Sequence, residues 1–325
     1  MVFRCMNGGK PVYVSSSITP LKGERLTGTQ SKLQWADVNW NKVKKYVNRL
    51  QARITKAVKE QKWHLVKRLQ YLLTHSFYAK LLAVKRVTQN RGKRTAGVDG
   101  EKWTTPKSKM NAAHRISDKK YKAKPLRRVY SPKPGSLKKR PLSIPTMYDR
   151  AMQALYALAL SPVAEATADT CSFGFMKYRS TQDACQYAFI CLSKKTSAHW
   201  ILEGDIKGCF DNISHEWLLD NIPMDKTILK QFLKAGYVYN RHLNHTKSGT
   251  PQGAIISPVL ANMTLDGMEK AIASRYHINK RGKIDKRRCN HHKVNFVRYA
   301  DDFVPRSCTR DEGLAPRSLL AGAGF

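Results

Sequence analysis

Acidic residues are scarce in this chain. Asp and Glu number 23 against 59 Lys and Arg in 325 residues, a formal charge of +36. Self-repulsion on that scale calls for an anionic partner, and nucleic-acid phosphate is the commonest. Lys and Arg recur from Lys42 to Arg140 and from Arg275 to Arg298 with apolar residues between them. That spread fits basic faces on folded elements better than one charged tail. Long apolar runs are also missing. The longest candidate, Ala151 to Leu160, falls well short of the ~20 residues a membrane span needs. The N-terminus has no apolar signal-peptide core. Its acid-free run to Glu24 with Ser15-Ser16-Ser17 gives it a faint likeness to an organelle transit peptide. No Cys-x-x-Cys pair occurs among the seven cysteines, which argues against disulfides and structural zinc and for reduced thiols. Cys289, His291 and His292 lack a fourth ligand and follow Lys286-Arg287-Arg288, so a basic loop is expected there.

An apolar content of 42% is enough for a sizeable core. Residues 1–34 are Gly-, Ser- and Thr-rich and read as a leader. Asp37 is the expected cap of the helix that follows. Val43, Val47, Leu50, Ile54 and Val58 recur at helical spacing, with Lys44, Lys45, Arg49, Arg53 and Lys56 mostly off that stripe. Leu65, Leu69, Leu72, Phe77, Leu81 and Val84 continue the pattern. Arg127–Tyr130 and Arg140–Pro145 read as strands joined through Pro134-Gly135. Helices are expected over Asp149–Leu160, from Ser180-Thr181-Gln182-Asp183 to about Leu192, and from Ser257-Pro258. Val294 to Tyr299 reads as a strand.

The chemistry lies in acidic residues at strand ends. Tyr299-Ala300-Asp301-Asp302 follows one apolar stretch, and Gly204-Asp205 follows another, Trp200-Ile201-Leu202. Adjacent carboxylates repel, and a cation is the usual remedy. Asp205 and Asp301 on neighbouring strands would hold two divalent ions, about 3.5–4 Å apart, of the kind that catalyse nucleotidyl transfer, with Asp302 supporting.

In these motifs the chain resembles the group II intron-encoded reverse transcriptase/maturase family. The resemblance rests on Tyr299-Ala300-Asp301-Asp302, on Gly204 to Ile213, on Thr250-Pro251-Gln252-Gly253 with Ile255-Ile256-Ser257-Pro258, on Arg128-Val129-Tyr130 with Pro132-Lys133-Pro134 and Lys139 to Pro145, and on Gly174-Phe175 with Arg179-Ser180. It covers about residues 31–304. It implies an α/β (α+β) fingers-palm fold with an antiparallel palm sheet: a leader over 1–34, a helical N-terminal extension over 35–100 and fingers-palm over 101–304. It also implies RNA-directed DNA polymerisation with two Mg2+ ions, Mn2+ being a substitute. The implied partners are an intron RNA template, a DNA primer and deoxynucleoside triphosphates, with no membrane. The implied location is the bacterial cytoplasm, an organelle being the alternative. Asp205, the Ile206 carbonyl and Asp301 would be the metal ligands. Phe210 would be a steric gate against a 2′-hydroxyl. Lys133 and Arg140 would reach the triphosphate, and Gln252 and Gly253 would line the nucleotide and template pocket.

The chain departs from the family at Ala254, Met176 and Gly135-Ser136-Leu137. The motifs beyond the Asp-Asp box, the thumb and the maturase region are absent from this sequence. A hairpin should return as an apolar strand after Asp302, but Phe303-Val304 is followed by Pro305. The chain is therefore expected to be a truncated, impaired copy with an aberrant tail over 305–325. The rival readings are a non-catalytic intron RNA-binding splicing factor and a basic scaffold that needs no metal.

Overall fold

A computed structural model describes residues 33–133, 135–193, 200–201, 203–276 and 295–307. Nearly all of the expected leader, the Cys289–His292 segment and the tail beyond Ser307 lie outside them. Of the described cysteines, Cys171, Cys185 and Cys209 are free thiols.

The stripe from Val43 to Val58 forms α1 (Trp40–Lys59) and is buried along its length. The cap is Asn39 rather than Asp37. Asn39 Oδ1 accepts from the Lys42 amide at 3.0 Å, and Asp37 lies in the preceding turn. The second stripe is two helices, α2 (Trp63–His75) and α3 (Phe77–Gln89), because Ser76 is extended (ψ 131°). Helix α2 buries Val66, Leu69 and Leu73, so Leu72, expected inward, faces solvent. Both leucines fit a helical spacing, and packing chooses between them.

Thr105 caps α4 (Pro106–Arg115). The expected hairpin is β1 (Leu126–Lys133) with β2 (Ser136–Ile144), its register slipping between Pro132 and Lys133 beside Gly135. Thr146 then caps α5 (Met147–Thr167), the central helix against which α1, α2 and α3 pack. Pro162 sits inside α5 and cannot donate to the Leu158 carbonyl. Gln51 of α1 supplies the missing donor, its Nε2 lying 2.7 Å from Leu158 O.

A capping box of Ser180 and Asp183 opens α6 (Thr181–Leu192). There follow β3 (Trp200–Ile201), β4 (Gly204–Asp205), α7 (Cys209–Asn212), α8 (His215–Asn221), α9 (Lys226–Leu233), β5 (Tyr237–Tyr239) and β6 (His242–Asn244). The last elements are α10 (Ser257–Leu265), α11 (Met268–Tyr276), β7 (Asn295–Tyr299) and β8 (Asp302–Ser307). Ser257 opens α10 but does not cap it. Ile256 holds the cap position, and the Ser257 hydroxyl donates instead to Pro251 O at 2.9 Å.

The fold is mixed α+β with a helical N-terminal region and two sheets. The first has the order β2-β1-β5-β6, with β1 and β5 parallel, which departs from a purely antiparallel expectation. The second is antiparallel throughout its named strands, β8 pairing with β7 on one side and with β3 and β4 on the other. The return strand after Asp302 therefore forms and continues through Pro305 to Ser307. The two-residue turn makes Tyr299 and Asp302 a hydrogen-bonded flanking pair, and alternation leaves Phe296 and Pro305 in a non-bonded one. The missing N–H of Pro305 thus faces the other edge. There β3 pairs with Arg306 and Ser307 and β4 with Asp302 and Phe303, so neither named strand pairs with Pro305. The main core lies among α1 to α5 and α8 to α10. A smaller one, with Cys171, Cys209, Leu265, Phe296 and Phe303, underlies the second sheet.

Candidate active site

Asp205 ends β4, and Asp302 opens β8. The two are direct partners in the ladder. Asp301 lies in the turn just before, and its carbonyl accepts from the Ile206 amide at 3.3 Å. The sequence-expected carboxylates are thus gathered at one end of the second sheet, with Asp205 and Asp302 exposed and Asp301 half-buried. The Asp302 carboxyl is raised above the usual carboxylate range, first by burial and then by Asp301, Asp205 and Glu203. The buried Cys209 thiol is pushed up to about 12, by burial and then by Asp301, with Asp205 and Asp211 adding smaller contributions. Several negative charges therefore reach the same small region. Among the described residues no Lys or Arg forms an ion pair with Asp205, Asp301 or Asp302.

Among the described residues no group of three or more His, Cys, Asp or Glu is placed to hold a metal ion. An open set of carboxylates without a cation still suits Mg2+. That ion keeps several waters and binds through one or two carboxylates plus substrate phosphates.

Phe210, in the helix that follows Asp205 in the chain, is bonded to the loop over 248–253. Phe210 is half-buried in α7, its ring 6.1 Å from that of exposed Phe175 at 74°. The Phe210 carbonyl accepts from the Thr250 amide at 2.6 Å. Gln252 Nε2 lies 3.4 Å from Asp211 Oδ2, and the Gln252 carbonyl accepts from the Ser143 amide of β2 at 2.8 Å. Gly253 has φ +100°, a conformation that favours glycine. Within this loop the tighter approach is at Gly249, where a Cβ would come within 2.6 Å of the Asp211 carbonyl oxygen. His215 holds that loop through Nε2, which donates to Gly249 O at 2.8 Å; burial lowers its pKa and favours the neutral ring, and the bond to Gly249 fixes the tautomer. Ala254, one of the departures noted in the sequence, is buried without a positive φ, so its side chain is accommodated. A cavity of about 90 Å³ lies between β1, β2 and this loop, lined by Arg128, Ser143, Asp211, Thr250 and Gln252 among others.

Lys133 and Arg140 sit on the β1–β2 hairpin of the first sheet, whereas Asp205 and Asp302 belong to the second. Lys133 pairs with Ser136 near the hairpin's tip, and Arg140 is exposed opposite Ser131. Arg140 is three residues along β2 from Ser143, or ~10 Å of strand. Among the described residues no ion pair joins Arg140 to a site carboxylate. Met176 is buried, its Sδ 3.3 Å from Asn262 Nδ2.

Sequence reasoning missed Arg298. This side chain is fully buried beneath the turn and pairs with Asp266 at 2.8 Å. The available signal was strand parity, since Arg298 falls on the same face as Phe296.

A family model described as the N-terminal domain of reverse transcriptase matches residues 35–116. A second, described as reverse transcriptase (RNA-dependent DNA polymerase), matches residues 131–320. The group II intron-encoded protein LtrA of Lactococcus lactis subsp. cremoris is 35% identical over 212 residues, covering 62% of this chain and 34% of LtrA. Protein YkfC of Escherichia coli (strain K12) is 30% identical over 269 residues, covering 74% of this chain and 70% of YkfC. A solved structure titled "Partial Cas6-RT-Cas1--Cas2 complex" is similar with a TM-score of 0.40 and 20% identity, over 74% of this chain and 38% of that one. The chain thus spans about a third of the length of LtrA. No helix among the described residues is long and apolar enough to cross a membrane. On the two family matches and these relatives, the chain belongs to the group II intron-encoded reverse transcriptase/maturase family.

Proposed function

We propose that this chain carries the polymerising site of an RNA-directed DNA polymerase, with Asp205, Asp301 and Asp302 as its catalytic carboxylates. The observation that supports it is the pairing of Asp205 with Asp302, the Ile206–Asp301 backbone bond beside it, and the lack of a cation partner among the described residues. Asp205, the Ile206 carbonyl and Asp301 would hold two Mg2+ ions, or Mn2+ in their place. Bound there, the ions would lower the pKa of a primer 3′-hydroxyl and neutralise charge on the transferred phosphate. Phe210 would close the space under the sugar of a deoxynucleoside triphosphate. Gln252 and Gly253 would border the template and nucleotide, and Lys133 and Arg140 would approach the triphosphate when the β1–β2 hairpin lies over it. The template would be intron RNA, bound largely through phosphates and shape.

Primer extension on an RNA template with the full chain tests this. Asp205→Ala and Asp301→Ala should each remove extension and leave RNA affinity within about twofold. Extension that survives either substitution rejects the site.

A second reading, an intron RNA-binding splicing factor whose metal site is idle, draws on α1. Lys44, Lys45, Arg49, Arg53 and Lys56 are all exposed on that helix, and only Lys56 has an acidic partner among the described residues, Glu60 at 3.9 Å. RNA binding with no Mg2+-dependent extension by the wild-type chain would favour it.

A further inference from the structure

We infer that Arg298 is a positioning residue that, from inside the core, fixes the turn carrying Asp301 and so sets how that carboxylate is presented beside Asp205. Its consequence for catalysis rests on the polymerase reading above; its effect on the turn does not.

Parity along β7 puts Phe296 and Arg298 inward, and both are buried. A guanidinium in that position must be paired and hydrogen-bonded to be tolerated. It reaches three acceptors from two elements. Nη2 lies 2.8 Å from Asp266 Oδ1, at the end of α10. Nη1 lies 3.2 Å from Asn262 Oδ1 on α10 and 3.3 Å from the carbonyl of Ala300 in the turn. Asn262 in turn donates through Nδ2 to Gly174 O at 2.8 Å. Gly174 lies against the turn so closely that a Cβ there would overlap the Ala300 amide nitrogen. The Arg298 backbone joins the same segment, its amide donating to Cys171 O and its carbonyl accepting from Phe173, both at 2.9 Å. Three pieces of chain therefore meet at one residue: α10 and its end and the turn through the side chain, and residues 171–174 through the backbone and Asn262.

Stability alone is a poor reason for this residue. A buried ion pair is often matched or bettered by apolar side chains of similar volume. An apolar side chain has no donor for the Ala300 carbonyl. Ala300 has φ +60°, a strained backbone for a residue with a Cβ, and it immediately precedes Asp301. The rigid fork of arginine suits the task of tying the turn to α10, which a flexible ammonium does less well.

The test uses the full chain and the double variant Arg298→Met with Asp266→Asn, which removes both charges of the buried pair. Arg298→Lys is the conservative partner. Hydrogen exchange is followed in peptides covering 203–208 and in α5, Mn2+ affinity by the free-ion resonance signal, and primer extension by its kcat and KM. The double variant should speed exchange of the Ile206 amide at least tenfold while α5 stays at the wild-type rate. It should weaken Mn2+ by about tenfold, in line with the usual effect of groups that orient metal ligands. It should lower kcat more than it raises KM, and Lys should fall between. If the double variant does not fold, the Lys variant carries the same comparison. Wild-type exchange at 203–208, or an equal rise there and in α5, overturns the inference. A local rise in the variant, with a wild-type chain that neither binds Mn2+ nor extends primers, would uphold the positioning and refute the polymerase reading.

Discussion

Asp205 stands directly across from Asp302 in the ladder between β4 and β8. Like charges placed opposite one another destabilise a sheet, and Asp301 follows at once in the adjoining turn. A divalent cation relieves that repulsion. Mg2+ at a hundred times its dissociation constant should therefore stabilise the fold by about 2.7 kcal/mol. Asp205→Asn should lose that response and, without Mg2+, melt no lower than the wild-type chain. Thermal melts at matched ionic strength decide it. An equal Mg2+ response in the variant would place the ion elsewhere.

Phe210 is held on its backbone side by the Thr250 amide and faces Phe175 across an edge-on ring contact. Shortening the ring should open space under the sugar with little effect on the rest of α7. Phe210→Val should raise incorporation of ribonucleotides relative to deoxyribonucleotides by on the order of tenfold or more, equal to about 1.4 kcal/mol of discrimination. The comparison is of kcat/KM for the two nucleotides. An unchanged ratio would make Phe210 an ordinary packing residue.

Much of the scaffold was legible because its signals are local. The stripe from Val43 to Val58, the capping box at Ser180 and the strands around Pro134-Gly135 each depend on residues close in sequence. The carboxylates were legible as strand ends. What stayed hidden depends on partners far along the chain. Leu73 rather than Leu72 turns inward because of what α2 meets. The parallel pairing of β1 with β5 joins segments about a hundred residues apart. Arg298 looked like one more basic residue in a basic chain, because its reason for burial, Asp266 and Asn262, lies on a helix some thirty residues earlier. Pro305 suggested an interrupted strand because the edge that tolerates it cannot be read from β8 alone.

The described thiols differ sharply in environment. Cys185 is exposed on α6, while Cys209 is 3% exposed beneath the carboxylates. With its thiol pushed up to about 12, Cys209 should be thiolate to only about one part in ten thousand at pH 8. Iodoacetamide at that pH should label Cys185 in the folded chain and Cys209 only in denaturant, as peptide masses will show. The linkage follows in sign. The folded pKa lies above the unfolded value of about 8.5, so Cys209 contributes stability below that pH and loses it as pH rises from about 8.5 toward 12. Cys209→Ala should lose that alkaline component of the stability profile.

Gln51 and Pro162 are coupled although they never bond each other. Proline at 162 leaves the Leu158 carbonyl without its helical donor, and the Gln51 amide fills the place at 2.7 Å. Gln51→Ala should then expose an unsatisfied acceptor at the contact between α1 and α5, at about 1–2 kcal/mol. Adding Pro162→Ala to it should recover much of that loss, because the new amide can reach Leu158. The two substitutions should therefore be non-additive by about 1 kcal/mol in urea unfolding, well beyond the few tenths expected of independent sites. Additive effects would mean that the Leu158 carbonyl finds water when Gln51 is gone, and that the bond between the helices contributes little.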